Sequence, residues 1–599
     1  MCGIAGLLTH SPTPYPLDRP IRAMQSALRH RGPDDAGIYQ STDRQAALAH
    51  TRLAILDLSE AGHQPMASSD RRYWITFNGE IYNFPELRQQ LQAQGERFAS
   101  QTDTEVILKL YQRHGPDCLH QLRGMFAFAI WDDQEKTCFL ARDPLGIKPL
   151  YYCQVGLNLG FASELRALLK ADLTAPDLSP AGLYGYLRTG SVPAPHTLIE
   201  GVWCLPPGHW LQWHQGQVTQ HRYWQIQFEA NPELVAEAPD RLRQALLDSV
   251  RCHYLSDVPV GVFLSGGIDS TAIVALSRQV HQGPLNTYSI SFADPAWDEG
   301  PIAARVAQTF DTHHTDYTMT AVEARRWFPQ FLEAVDQPSI DGFNSFCVAQ
   351  VARDHGQKVV LSGLGGDELF AGYPSFTALP KLMHWGQYGA GLRPLIRAVA
   401  PSLARLPSLK LRRLLDFSQQ SNCLTSAYYS LRSNFSHQEA LALLGHHLPD
   451  APPPVLPEPD LGPQPSLADC ISALEMNRYM ANQLLRDSDV MTMAWGLELR
   501  VPLVDRVLLE TIAAIPSQER LAPGKQLLIK AVPEIPDWVI NRPKRGFRFP
   551  FDQWLTADWS SPGGEAMAAN CPAWIPLQPW YRRWSLIMLH HWQQSLVNG

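Results

Sequence analysis

Three short stretches of this 599-residue chain carry residue types whose spacing suits chemistry. In Val258-Pro-Val-Gly-Val-Phe-Leu-Ser-Gly-Gly-Ile-Asp-Ser-Thr271, the apolar run Val260, Val262, Phe263 and Leu264 predicts a buried strand. Ser265, Gly266 and Gly267 predict a turn whose missing Cβ atoms let the backbone pass close to a ligand. Helical spacing follows at Ile273, Val274, Leu276 and Val280, so free amide N–H groups and a helix dipole aim at one point and cradle an anion. Asp269 cannot bind a phosphate directly but can hold the magnesium that a pyrophosphate carries. Ser265, Asp269 and Ser270 in register favour a nucleotide over an ordinary strand–helix turn. The second stretch, Lys358 to Tyr373, repeats the pattern with a strand at Val359–Leu361, a turn holding Ser362 and Gly363, and a helix start. Asp367 there is either a second magnesium carboxylate or a helix N-cap. Two such turns side by side make the crevice in which open parallel sheets bind ligands. The third stretch is Met1-Cys2-Gly3-Ile4-Ala5-Gly6. Loss of Met1 leaves Cys2 with a free α-amine of pKa near about 8, able to serve as base for its own thiol. The plain alternative is a buried cysteine acting as a small hydrophobe.

Other segments decide between these readings. They are Arg29-His-Arg-Gly-Pro-Asp34, His50-Thr-Arg-Leu-Ala-Ile-Leu56, Phe77-Asn-Gly-Glu-Ile-Tyr-Asn83, Gln101-Thr-Asp-Thr-Glu105, Leu140 to Tyr151 and Phe161-Ala-Ser-Glu164. Together with Cys2 they resemble the N-terminal-nucleophile glutaminase domain of class II glutamine amidotransferases over roughly the first 205 residues. The resemblance implies that Cys2 attacks the side-chain amide of glutamine, giving a thioester and ammonia. Asn78 and the Gly79 N–H would then hold the oxyanion. Arg52 would grip the α-carboxylate of glutamine, beside Leu53, Ala54, Ile55 and Leu56, and Glu80 and Asp103 would hold its α-ammonium. The Ser-Gly-Gly-Ile-Asp-Ser turn resembles the pyrophosphate loop of enzymes that split ATP between its α and β phosphates. No Walker-type Lys-Ser/Thr loop is present, which disfavours γ-phosphate transfer. Arg486 to Asp505, Gly524-Lys525 with Lys530, and Arg542-Pro-Lys-Arg-Gly-Phe547 extend the likeness to the C-terminal domain of glutamine-dependent asparagine synthetases. That likeness implies an ATP site at Phe263, Ser265, Gly266, Gly267, Asp269, Ser270, Ile290, Ser362 and Gly363, with Mg2+ on Asp269 and Asp367. Lys544 would approach the carboxyl-adenylate, where a cation offsets developing charge.

The elements that must position these groups follow from pattern. The expected architecture is an αββα N-terminal-nucleophile sandwich over residues 1–209, then a mostly helical domain over 210–599 built around a parallel-sheet ATP-pyrophosphatase core. Strand Tyr73–Phe77 should lead into a turn at Asn78-Gly79, and Gln101 to Glu105 should cap a helix over Val106–Tyr111. A polar hairpin over Trp210–Trp224, a helix around Pro239–Cys252 and a buried strand at Asn286–Phe292 complete the approach to the crevice. Ile290 on that strand lines an adenine pocket or is plain core. Lys410-Leu-Arg-Arg413 reads as a solvated helix face, and the proline-rich Pro452–Pro465 as a surface loop or disordered excursion.

Composition narrows the function class. A net charge of −8 argues against a nucleic-acid partner, and no apolar run is long enough for a bilayer. Ten scattered cysteines point to reduced thiols in a cytoplasm rather than to a disulfide framework. A homodimer is left open. One departure touches the acceptor. Asparagine synthetases usually show Ser-Gly-Glu-Gly at the second turn, whereas this chain has Ser362-Gly363-Leu364-Gly365, with Gln337 also standing where a carboxylate is common. Glu368 or Asp341 is then the nearest replacement by sequence. The leading expectation is asparagine synthesis from glutamine, aspartate and ATP. The alternative is the same adenylation chemistry on a sugar acid, a peptide or a cell-wall precursor.

Overall fold

The central strands in the first third of the chain are buried on both faces, because each sheet is covered twice. In the computed structural model, β1 (Gly3–Leu8), β2 (Asp35–Gln40), β3 (Ala46–Arg52), β4 (Met66–Ala67), β5 (Tyr73–Ile81), β6 (Gly124–Asp132), β7 (Thr137–Arg142), β8 (Tyr151–Val155), β9 (Asn158–Ala162), β10 (Val202–Cys204), β11 (His209–His214) and β12 (Gln217–Arg222) form two antiparallel six-stranded sheets. Their orders are β10-β8-β9-β1-β3-β2 and β12-β11-β7-β6-β5-β4. Ile4, Leu48 and Phe161 of the first sheet meet Trp131, Leu140 and Trp213 of the second. Helices Asp18–Ala27 and Leu165–Lys170 cover the outside of the first sheet. Helices Phe84–Ala93 and Asp103–His114 cover the second, burying Leu87, Leu91, Val106 and Ile107 against Phe77, Phe126 and Phe128. This is the αββα sandwich expected from the sequence. The structure describes residues 2–11, 17–388, 408–420, 423–454, 456, 458–543, 549–557 and 571–598, so Lys544 lies outside the described residues.

Several boundaries differ from the sequence reading. β11 pairs with β7 and β12, so the hairpin assigned to the start of the second domain extends the second sheet to Arg222 instead of leaving it at 209. The pairing buries Leu211 and Trp213, a gain that the polar look of the stretch conceals. Asn78-Gly79 is not a turn, because β5 continues through it to Ile81 with Asn78 opposite Ala127 and Gly79 opposite Phe126. A Cβ on Gly79 would meet the Met125 carbonyl oxygen at 2.1 Å, so the glycine serves a close strand approach. Arg52 is the last residue of β3. The helix expected from Val106 starts at Asp103, with the Thr102 hydroxyl accepting from the Glu105 N–H at 3.3 Å.

Five parallel strands make the second body: β13 (Val260–Phe263), β14 (Asn286–Phe292), β15 (His313–Met319), β16 (Val359–Leu361) and β17 (Glu498–Arg500), in the order β15-β14-β13-β16-β17. The chain runs outward from β13 in both directions, so the switch point lies between β13 and β16. Helices Ala238–His253, Ile268–Val280, Gly300–Thr309 and Phe343–Asp354 pack around the sheet. Lys410-Leu-Arg-Arg413 is not wholly solvated as expected, since Arg412 is buried in an ion pair with Glu439. An uncommon π-helical run, Glu475–Leu485, joins helix Leu467–Leu474 to helix Arg486–Met493.

Candidate active site

The N-terminal site is built on the first residue of β1's approach and on the middle of β5. Cys2 is 8% exposed, and its backbone N–H donates to Asn78 Oδ1 at 2.9 Å. That bond orients the carboxamide, and Asn78 Nδ2 is left buried with no partner among the described residues. A buried donor without an acceptor costs about 1–3 kcal/mol, so a ligand oxygen that accepts from it gains accordingly. Burial pushes the Cys2 thiol up, while the Leu53 backbone N–H and the nearby Arg52 charge pull the other way. The Arg31 guanidinium donates to the Cys2 carbonyl at 3.0 Å and fixes the main chain from behind.

The expected glutamine-gripping residues surround this thiol unevenly. Arg52 is 7% exposed and donates to the carbonyls of Leu56, Asp57 and Ser59, so the loop after β3 wraps its guanidinium. Ala54 N–H donates to Asp34 at 2.8 Å, while Leu53 and Ile55 are core residues. Glu80 and Asp103 are both buried on one side of β5, where Asp103 accepts from the Ile81 N–H at 2.9 Å. Burial pushes Asp103 up to about 6 and raises Glu80 well above the usual range. Two buried acids held this way gain from an incoming ammonium, which repays their lost hydration.

Glu80 also reaches across the molecule. Arg500 on β17 lies 3.5 Å from Glu80 and 2.6 Å from Glu498, both contacts buried and the second completely enclosed. Burial raises Glu498, but the surrounding positive charge, Arg500 and Lys148 included, overcomes it and holds the group down to about 2. Arg31 pairs with Glu164 at 2.8 Å and with Asp489 at 2.7 Å, and Lys148 lies 3.4 Å from Asp489. The glutaminase-like site and the parallel sheet thus share one buried set of charges. Apart from Glu80, these residues stand out in the sequence only inside motif stretches, because residues some 460 positions apart show no pattern that announces a pair.

The loops after β13 and β16 lie together at the switch point. Ser265 Oγ and Ser270 Oγ are 3.1 Å apart across the turn into helix Ile268–Val280. A Cβ on Gly363 would meet Ser270 N at 2.8 Å, and one on Gly366 would meet the Asp269 carboxylate at 2.4 Å. The Ser362 N–H is spent on the Arg500 carbonyl at 2.9 Å, which ties this turn to β17. Phe263 ends β13, and Ile290 is buried in the common core. Asp269 and Asp367 converge on one cation, the Lys525 ammonium, 2.5 Å from Asp269 and in direct ion pairing with Asp367. Lys525 takes a left-handed backbone, φ 58°, to enter this position, a conformation a non-glycine residue holds only when its surroundings impose it. Two carboxylates on one point suit a divalent cation that takes its other ligands from phosphate and water. Among the described residues no cluster of three or more His, Cys, Asp or Glu could enclose a metal alone.

Beside the crevice lies a cavity of about 1260 Å³ that Leu364 and Asp367 border. Asp341 lines it as well. Glu368 is fully enclosed, accepts from the Tyr373 hydroxyl at 2.8 Å, and is pushed up to about 7 by burial and by Asp367. Gln337 faces elsewhere, accepting from Leu198 N–H and donating to the Tyr151 hydroxyl at 3.2 Å. Its exchange for a carboxylate therefore bears on the joint between the two bodies.

Comparison with known proteins follows the same division. The family model of the glutamine amidotransferase domain matches residues 1–224, and that of asparagine synthase matches residues 241–561. Asparagine synthetase [glutamine-hydrolyzing] 1 of Bacillus subtilis is 34% identical over 569 residues, covering 93% of this chain and 88% of that protein. A putative asparagine synthetase [glutamine-hydrolyzing] of Mycobacterium tuberculosis is 34% identical over 88% of this chain and 84% of its own. Asparagine synthetase B [glutamine-hydrolyzing] of Escherichia coli is 34% identical over 64% of this chain and 66% of its own. With both models laid along it in order, the chain belongs to the asparagine synthase family.

Proposed function

We propose that this protein makes asparagine from aspartate, ATP and the amide nitrogen of glutamine. The observation that carries the reading is the pairing, in one chain, of a Cys2–Asn78 site holding an unspent buried donor with a switch-point crevice whose two aspartates share one cation. Cys2, freed as the terminal residue, attacks the glutamine carboxamide. The oxyanion takes Asn78 Nδ2 and the Gly79 N–H, ammonia leaves with a proton from the α-amine, and water later cleaves the thioester to glutamate. Arg52 with the Leu53–Leu56 loop orients the α-carboxylate, and Glu80 and Asp103 receive the α-ammonium. In the crevice, an aspartate side-chain oxygen attacks the α-phosphorus and pyrophosphate departs. Ammonia then adds to the acyl carbon, loses a proton, and AMP leaves with the acyl C–O bond broken.

The loop Phe263 to Ser270, Ser362 and Gly363 cradle the phosphates, with Ile290 in the core below. Asp269 and Asp367 would hold Mg2+, which when bound neutralises phosphate charge. Lys525 supplies a second cation beside them, and Lys544 is assigned to the adenylate by family likeness alone. Small-molecule substrates in a cytoplasm, with neither nucleic acid nor membrane as partner and a homodimer left open, complete the reading. The acidic balance supports the lack of a nucleic-acid partner, and no described helix is long and apolar enough to cross a membrane. The second reading, a different carboxylate amidated by the same chemistry, starts from Leu364 in the wall of the cavity beside the crevice. Pyrophosphate release with product mass, measured with aspartate and then with sugar acids and peptides, tests both. Aspartate-dependent release giving asparagine is expected, and release only with another acid would replace aspartate as the acceptor.

A further inference from the structure

The wall of the large cavity carries a guanidinium that the proposed mechanism does not use. Arg432 packs against two tyrosine rings set nearly at right angles to each other, 4.5 Å from the centre of Tyr373 and 4.2 Å from that of Tyr479. Its Nε and Nη2 both donate to Glu475, at 3.2 and 2.7 Å. Glu475 cannot swing away, since it also accepts from Ser375 and from Tyr428 at 3.1 Å and is wholly enclosed. Tyr373 is pinned in turn by its hydroxyl on Glu368. The planar group is therefore held in the angle between two rings and along one edge. Its remaining edge, Nη1, has no partner among the described residues and is not among the enclosed orphan atoms. Arg432, Tyr373 and Tyr479 border the same cavity as Leu364 and Asp367.

The backbone points the same way. Glu475, which clamps the guanidinium, and Tyr479, which packs on it, both lie on the π-helical run Glu475–Leu485. Such a run is rarer than an α-helix and recurs at functional sites. Here it brings the clamp and one ring to the same wall.

We propose that Arg432 reads a second anionic group on the acceptor, so that the cavity selects dicarboxylates and, for aspartate, binds the α-carboxylate while the side-chain carboxylate is activated. A fixed guanidinium edge suits this task because carboxylate oxygens match its donors and no ordering cost remains to be met at binding. The inference rests on aspartate being the acceptor.

The test compares wild type with Arg432→Lys and with the charge-balanced double variant Arg432→Met, Glu475→Gln, which avoids leaving a bare buried carboxylate. Pyrophosphate release is followed against aspartate and against 3-aminopropanoate, which keeps the carboxylate to be activated and lacks the second. The KM for aspartate should rise about 10- to 100-fold in both variants. The values for ATP, glutamine and 3-aminopropanoate should stay where they are, with the melting temperature confirming the fold. Equal losses on both acceptors, or a rise confined to ATP, would overturn the assignment while leaving aspartate as acceptor. No turnover of aspartate by wild type would remove the acceptor reading and this inference with it.

Discussion

Asn78 does two jobs that compete for one side chain. Its Oδ1 takes the Cys2 N–H, and this leaves Nδ2 buried and unspent. Asn78→Ala should lower glutamine hydrolysis about 10²- to 10³-fold and leave ammonia-dependent synthesis intact, as an amidohydrolysis assay beside an ammonia-driven one will read. Asp103 gives a pH prediction. Burial places its folded value at about 6, above an ordinary aspartate, so the charged form that would bind the glutamine ammonium is lost as pH falls through 6. The KM for glutamine should rise about tenfold per unit below that point, and Asp103→Asn should flatten the profile at a uniformly higher KM. The same raised value means that ionising Asp103 costs stability as pH rises through 6 when glutamine is absent. At this scale the sequence named Cys2, Asn78, Asp269 and Asp367, because each sits in a short local motif. It gave Lys525 only as part of a stretch and no hint that Arg52 would be wrapped by its own loop, since both depend on contacts between distant segments.

At the scale of elements, the strand–glycine–helix pattern was legible because it is local, and its consequence, two turns meeting at a switch point, followed once the sheet order was known. Gly363 carries that meeting, as a Cβ there would strike Ser270 N and the Asp269 main chain below 3.0 Å. Gly363→Ala should therefore push the two loops apart. Displacements of about 1 Å cost catalysis about 10²-fold, so synthesis should fall by that order with either nitrogen source while glutamine hydrolysis persists. The misread elements share one cause. Asn78-Gly79 carries the strongest local hairpin signal, yet β6 pairs along the whole of β5 and overrides it. The polar face of the 209–222 hairpin likewise hides Leu211 and Trp213, which are buried only because β7 is adjacent.

Across the whole molecule, the two bodies share buried charges instead of a bare apolar seam. Arg31 is fully enclosed between Glu164 and Asp489, one acid from each body. Removing Asp489 leaves Arg31 with Glu164 alone and takes the carboxylate from the buried Lys148, and breaking a buried pair costs up to about 3–5 kcal/mol. Asp489→Ala should lower the thermal midpoint by several degrees in calorimetry and weaken use of glutamine-derived ammonia more than use of free ammonia. No sequence pattern announces this arrangement, since the pair spans 458 positions. The central claim, that Cys2 supplies nitrogen to a second site in the same chain, has one direct measurement: transfer of ¹⁵N from amide-labelled glutamine, or from labelled ammonium, into the amide product. Wild type should incorporate label from both donors, and Cys2→Ala from ammonium alone. Incorporation from glutamine by Cys2→Ala at the wild-type level would contradict the account.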